Sequence, residues 1–244
     1  MRAARFFIDA PLALGTLVEL PPRIAHHALR VLRLHNGDPI VVFNGQGGEF
    51  GGRLAIDGAR VVAEIQASDA VERESPLSVR LVQAWIATDK LDWVVEKSVE
   101  LGVHSIVLTP AQRAVVRVAD DRLAKRLARL RELIIGACAQ CGRNRIPSIE
   151  AASTFAEALR TGLSEGAIGL LLEPNAPSGV SKAKFSNCRV ALAVGPEGGF
   201  DSDELALARQ LGYRAHRLGP RILRTETAGP AALAALQATI GDFR

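Results

Sequence analysis

Long apolar runs are missing from this chain. No stretch of eighteen apolar residues occurs, which excludes an ordinary membrane-spanning helix. The opening Met1-Arg2-Ala3-Ala4-Arg5 carries the charge of a secretory leader, but it meets Asp9 and Pro11 with no apolar core between them, so export is not expected. Cysteine is scarce. Three in 244 residues cannot form a disulfide framework and suggest reduced thiols in a cytoplasm. Cys138-Ala139-Gln140-Cys141 is formally a C-x-x-C, but Cys188, His104 and His216 do not complete a zinc set, and a redox pair belongs at the start of a helix, not its end. No metal is expected, and both cysteines read as buried or half-buried helix residues. Aromatic residues make up only 5%, so stacking on several bases is not a main strategy, and Trp85 and Trp93 read as packing groups. The Gly-Lys-Ser/Thr of a phosphate loop, the dinucleotide glycine fingerprint, internal repeats and low-complexity segments are all absent.

What remains is a chain that is 48% hydrophobic and 23% charged, the composition of an ordinary globular protein. A net charge of +4 permits a nucleic-acid partner without requiring one. Residues 1–73 predict a small β-rich module. Short apolar segments at 40–44, 49–56 and 61–65 are joined by Gly45-Gln46-Gly47-Gly48 and by Asp57-Gly58, a hairpin signal. One helix, about Arg23 to Leu34 and closed by Asn36-Gly37, interrupts them. Polar residues from Ser68 to Pro76 read as a linker. From 74 to 244 strands and helices alternate: strands near 77–86, 104–108, 168–172, 190–194 and 213–218, helices near 90–101, 121–141 and 201–211. Asp201 and Glu204 are spaced as a capping box. Near-continuous apolar strands between helices imply an α/β domain with a parallel sheet covered on both faces.

Three loops follow predicted strands, where parallel sheets bind ligands. Val194-Gly195-Pro196-Glu197-Gly198-Gly199-Phe200 is glycine-rich, which suits a close backbone approach to a bound molecule and equally suits a tight turn. Leu218-Gly219-Pro220-Arg221-Ile222-Leu223-Arg224-Thr225-Glu226-Thr227-Ala228 gathers two arginines, two threonines and a glutamate. Helix capping accounts for its threonines and for Glu226, but not for arginines at a helix N-terminus. Leu172-Glu173-Pro174-Asn175 ends a third strand and alone is only a strand terminator.

Together these motifs resemble the cofactor core of the 16S ribosomal RNA uridine-N3 methyltransferases of the trefoil-knotted SPOUT class. The likeness extends to Glu96-Lys97-Ser98-Val99-Glu100-Leu101-Gly102, to Ala139-Gln140-Cys141-Gly142-Arg143-Asn144-Arg145, to Arg5-Phe6-Phe7, to His27-x-x-Arg30-Val31-Leu32-Arg33 and to Gly241-Asp242. It implies a PUA-like RNA-binding β-barrel at 1–73 and a parallel α/β domain with a deep trefoil knot at 74–244. It implies a homodimer, with S-adenosylmethionine as cofactor and S-adenosylhomocysteine as product. The cofactor would lie among Leu172, Glu173, Gly195, Glu197, Gly198, Gly199, Leu218, Gly219, Ile222, Leu223 and Thr227. The implied target is N3 of a uridine in the decoding region of the small ribosomal subunit, with the assembled subunit preferred over naked RNA. One departure is Ala228-Gly229-Pro230, where helix formers are usual, and the last helix is therefore expected to begin near Gly229.

Arg23, His26, His27, Arg30 and Arg33 recur at helical steps opposite Ile24, Ala28, Val31 and Leu32, which reads as a basic face or a merely solvated one. Arg143 and Arg145 cluster at the end of the long helix, where dipole compensation is the bland explanation. With Arg5, Lys97, Arg113 and Arg221 these make the candidate RNA contacts (His27, Arg30, Arg33, Arg143 and Arg145), and Lys90 and Arg117 add scattered charge. For the chemistry, Arg224 is the candidate stabiliser of charge on the uracil carbonyls, and Glu226 is the candidate general base or base-orienting group. Glu226 could equally serve only as a helix cap. The last helix, rich in alanine and leucine from Ala231 to Ile240, is the candidate dimer face. Two alternatives stay open: the same class acting on another RNA, such as a transfer RNA ribose or purine, or a non-catalytic RNA-binding assembly factor.

Overall fold

The computed structural model describes residues 3–58, 60–116 and 120–243. The expected leader-like Met1-Arg2 and the charge on Arg117 lie outside these residues. The chain divides into two compact units, 1–74 with 135–146, and 75–134 with 147–244. The return of 135–146 to the first unit differs from the single cut expected near residue 73.

In the first unit β1 (Ala4–Phe7), β2 (Leu17–Glu19), β3 (Pro39–Phe43), β4 (Glu49–Asp57) and β5 (Arg60–Asp69) form one sheet in the order β1-β3-β4-β5-β2. All pairs are antiparallel except β1 with β3. In β5 the period of two is visible: Val61, Ala63 and Ile65 are buried while Glu64 and Gln66 face water. They join Phe6, Ile40, Val42 and Leu54 in one apolar core. The β4–β5 register shifts at Gly51/Gly52, and a Cβ on Gly52 would lie 2.2 Å from the Glu64 carbonyl oxygen, so only glycine fits.

The expected helix of this unit is shorter and changes type. The helix α1 (Pro22–His26) passes directly into a π-helical turn, His27–Val31, in which the Leu32 N–H bonds the His27 carbonyl. Arg33, at φ +55°, ends it. A π turn inserts residues into the helical repeat, so the spacing that set Val31 and Leu32 opposite the cations no longer holds. Both are exposed, as are His27, Arg30 and Arg33.

The supposed linker is tied down. Glu72 pairs with Arg145, Arg73 with Glu49, and Glu74 with Arg143. These ion pairs explain why 135–146 belongs here, although it contains the end of a helix that begins in the other unit.

The second unit holds β6 (Ser78–Ala84), α2 (Thr88–Glu100), β7 (Ser105–Thr109), α3 (Asp120–Cys141, its first part), β8 (Ser148–Ala151), α4 (Phe155–Gly162), β9 (Ile168–Leu172), β10 (Arg189–Val194), α5 (Ser202–Gln210), β11 (Arg214–His216) and α6 (Thr225–Ile240). Its six strands form an all-parallel sheet, β11-β9-β10-β6-β7-β8. β7 is buried at every position and β10 at all but its first, as near-continuous apolar strands should be when both faces are covered. The sequence reading missed β8 and α4. The start of α4 was marked by Thr154-x-x-Glu157: the Thr154 side chain accepts the Glu157 N–H, and the Glu157 carboxylate accepts the Ser153 N–H.

The last helix begins at Thr225, not near Gly229. Pro230 is its sixth residue and leaves the Glu226 carbonyl without its usual donor. The turn before it is held by other bonds. The Thr225 hydroxyl donates to the Gly195 carbonyl at 2.6 Å, and the N–H groups of Thr227 and Ala228 both reach the Arg224 carbonyl at 2.9 Å. Gly229 packs beside Leu81 and Val194. The leucines of α6, Leu233 and Leu236, are buried within the chain, where α6 packs on α2 and β10. They are therefore not available as a dimer face, and alanines dominate what remains. No helix among the described residues is long and apolar enough to cross a membrane.

Candidate functional site

The carboxyl ends of β9, β10 and β11 open onto one cavity of about 410 Å³, within the range of small-molecule sites. The loops that follow these strands supply most of its wall, with Lys90 from α2 and the first turn of α6.

Each loop has a local cause. After β9, the Glu173 N–H bonds the His216 carbonyl at 3.0 Å, and the Glu173 carboxylate accepts the Asn175 N–H at 3.2 Å, which turns the chain away from the sheet. After β10, the Gly199 N–H closes a turn on the Pro196 carbonyl at 2.9 Å, and Gly199 takes φ +68°. A Cβ on Gly195 would stand 3.2 Å from the Phe200 nitrogen. Buried Phe200 packs on Phe155, and Asp201 with Glu204 forms the expected capping box on α5. After β11, the 217–224 loop runs to α6, whose Thr225 is fastened to Gly195 and lies 3.4 Å from the amide of fully buried Gln83. The two glycine- and arginine-bearing loops are thus joined by a hydroxyl.

Charge is concentrated on one side. Lys90 Nζ lies 3.2 Å from Glu197 and 3.7 Å from Glu226, and an Arg224 guanidinium nitrogen lies 4.0 Å from the other Glu226 oxygen. The Glu226 side chain is 18% exposed, and its Oε2 is buried with no hydrogen-bond donor. Arg224 is 82% exposed. A largely covered carboxylate beside an exposed guanidinium can receive a proton and stabilise a developing anion.

Of the residues expected around a cofactor, Leu172, Glu173, Gly195, Glu197, Gly199, Leu218, Ile222 and Leu223 line the cavity, as do Arg221, Arg224 and Glu226. Gly198, Gly219 and Thr227 are not among its lining. A Cβ on Gly198 would meet the Arg113 side chain at 3.0 Å, so its smallness serves packing. Gly219 takes φ +71° to turn an exposed loop, and Thr227 is exposed on α6. Lys90, His216 and Arg217 were missed as lining residues. Lys90 did leave a signal: a lysine in the first turn of a helix opposes the macrodipole. His216 and Arg217 read only as the end of a strand.

The candidate RNA contacts divide. Arg5, 5% exposed, is held by Glu49 and Asn144; Arg143, 7% exposed, is held by Glu74. Both guanidiniums are buried and paired inside the first unit, unlike an exposed phosphate-binding cation. Arg145 pairs with Glu72. Lys97 lies between Glu96 and Glu100, whose hydrogen bonds raise its pKa well above the ordinary lysine value, and the trio is net negative. Arg113 bonds the Gly198 carbonyl at 3.2 Å and is exposed. His27, Arg30 and Arg33 are exposed, as is Arg221 on the cavity rim. Trp85 is buried, but Trp93, expected to pack, is 44% exposed. Burial pushes the Cys138 thiol up to about 12, which leaves it inert, and no metal-binding group occurs among the described residues.

Known proteins match this chain in sequence and fold. Residues 73–237 match the family model of the RNA methyltransferase domain, and residues 20–66 that of the RNA methyltransferase PUA domain. The chain is 31% identical to ribosomal RNA small subunit methyltransferase E of Buchnera aphidicola subsp. Schizaphis graminum, over 99% of this chain and 98% of that one. Among solved structures it is similar to ribosomal RNA small subunit methyltransferase E of Neisseria gonorrhoeae bound to S-adenosylmethionine, with TM-score 0.90, 37% identity and full coverage of both chains. A Legionella pneumophila protein described as a methyltransferase, also solved with the bound cofactor, gives TM-score 0.92 at 34% identity, again over both full chains.

Proposed function

Because this chain belongs to the ribosomal RNA small subunit methyltransferase E family, we propose that it transfers a methyl group from S-adenosylmethionine to N3 of a uridine in 16S ribosomal RNA. The observation that carries this reading is the convergence of the 195–200 and 218–226 loops on one cavity, with an exposed arginine and a half-buried glutamate at its wall.

The residues present fit the cofactor. Leu172, Leu218, Ile222 and Leu223 offer apolar surface to an adenosine, and the backbone of 195–199 comes close to the cavity because Gly195 and Gly199 carry no side chain. When bound, S-adenosylmethionine supplies an activated methyl electrophile and leaves as S-adenosylhomocysteine. The protein's own task is the imide proton of uridine N3. Glu226 accepts it or orients the base, and Arg224 stabilises charge on the uracil carbonyl oxygens with its fork of donors. The target base must first leave any stack.

The RNA is held by the first unit through exposed cations such as Arg30 and Arg33. The protein acts as a homodimer in the cytoplasm, where small subunits assemble, and exposed Trp93 and Phe243 offer apolar surface for pairing. The trefoil knot is part of this reading: Arg217, which precedes the 218–224 loop, exchanges backbone hydrogen bonds with Ser178 and Val180, so the loop would thread close to that segment.

The test is transfer of labelled methyl from S-adenosylmethionine to small subunits that lack the modification. The expected product is N3-methyluridine. Label on another nucleoside would move the target, and cofactor binding without transfer would leave a non-catalytic RNA-binding protein.

A further inference from the structure

We propose that Lys90 is the positioning residue of this site, holding the Glu226 carboxylate in the cavity wall by bridging it to Glu197. The inference rests on the proposed methyl transfer and names the group that keeps its base in place.

Three elements meet at Lys90. It is the third residue of α2, Glu197 lies in the loop after β10, and Glu226 is the second residue of α6. The helix dipole disfavours a lysine at that point of α2, so the helix itself does not explain it. The two carboxylates do. Glu226 Oε2 is buried and has no hydrogen-bond donor, an arrangement that is costly unless a cation compensates it. Arg224 is a weak compensator, because it faces the other oxygen at 4.0 Å and is mostly in water. Lys90 is less exposed, stands 3.7 Å from Oε2, and is anchored by Glu197 at 3.2 Å. Glu226 already gains from the dipole of α6, and that accounts for its charge but not for its orientation. The bridge leaves Glu226 oriented and Arg224 free to meet the substrate. Glu197 thereby gains a role: it fixes the ammonium that fixes the base.

The experiment is a double-mutant cycle in methyl transfer to small subunits, with cofactor affinity measured by calorimetry on the same proteins. Lys90→Met should lower kcat about tenfold or more, the scale of a misoriented catalytic group. KM and cofactor affinity should stay near wild type, and Lys90→Arg should recover most of the rate. In a Glu226→Gln background, Lys90→Met should cost nothing further, because the group it acts through is gone. Additive losses would overturn the inference while leaving the proposed function intact. So would a fall in cofactor affinity that accounts for the lost rate, since Lys90 would then hold the cofactor directly. A wild-type enzyme that binds the cofactor but transfers no methyl group would overturn the proposed function, and this inference with it.

Discussion

Two clusters of basic residues and glutamates in this molecule differ in how closely they are paired and in what they border. In the first unit, Glu49 is shared by Arg5 and Arg73, Glu74 meets Arg143 and Glu72 meets Arg145. Arg5 and Arg143 are almost completely covered. The Arg73 hydrogen bond, helped by Arg5, holds the Glu49 carboxyl well below the carboxylate range, at about 2. At the cavity, the distances from Lys90 and Arg224 to the carboxylates run from 3.2 to 4.0 Å, one glutamate oxygen has no donor, and one guanidinium lies in water. The first cluster ties a loop and two strands into one unit, with only the Arg5 Nε buried and unpartnered, and it borders no part of the cavity. The second keeps donors and an acceptor at the wall of a cavity. Loose pairing beside a cavity, not charge density, marks the place where chemistry can occur.

This contrast can be broken at several points. The largest effect is expected in the tightly paired first cluster. Arg143→Ala strands Glu74 and should cost about 3 kcal/mol or more of stability, the scale of a broken buried pair. Urea unfolding measures it, and a loss under 1 kcal/mol would place Arg143 among ordinary surface ion pairs. Next comes the cluster at the cavity. Arg224→Ala should lower turnover about a hundredfold, typical of a lost anion-stabilising donor, with unchanged melting temperature and little change in cofactor affinity. Glu226→Gln keeps the shape and should slow the reaction too; wild-type turnover in that variant rules out Glu226 as the base and leaves Arg224 acting with water.

Acid sharpens the comparison further. The Glu49 pKa is lowered from 4.5 to about 2 on folding. A depressed carboxylate stabilises the fold fully above its unfolded pKa and loses that contribution as protons bind to the folded state. The first unit should therefore weaken as pH falls from 4.5 towards 2, and Glu49→Gln should flatten that part of the pH–stability curve. A curve of the same slope in the variant would show that other carboxylates carry the acid transition. The smallest effect concerns cations in neither cluster. Arg30→Ala with Arg33→Ala should leave stability nearly unchanged and reduce the salt slope of subunit binding by about one to two, one per lost phosphate contact. An unchanged slope would make this face merely solvated.

Particular residues show how far the sequence could be read. The apolar runs of β9 and β10 announced a parallel sheet because burial on both faces leaves no polar alternation. Gly195–Phe200 suited a tight turn as well as a site, Leu218–Ala228 carried arginines that capping does not explain, and both loops border the cavity. Thr154-x-x-Glu157 announced α4 and was passed over. Other features left weaker traces. Nothing in His27–Val31 distinguishes a π turn from an α turn. The basic residues Arg5 and Arg143 look like Arg30 until their carboxylate partners, far off in sequence, are known. Pro230 argued for a later start to α6, and a hydroxyl bond to Gly195 overrode it.

By itself the sequence determined what local chemistry can determine: which runs must be buried, where glycine lets the backbone turn, which caps start helices, and which loops carry residues that no helix or strand requires. Tertiary structure alone decided which charges neutralise one another. Arg143 meets Glu74 and Lys90 meets both Glu197 and Glu226 across long stretches of chain. Ion pairing depends on distances of a few ångströms and on burial, and neither is encoded in the order of the residues.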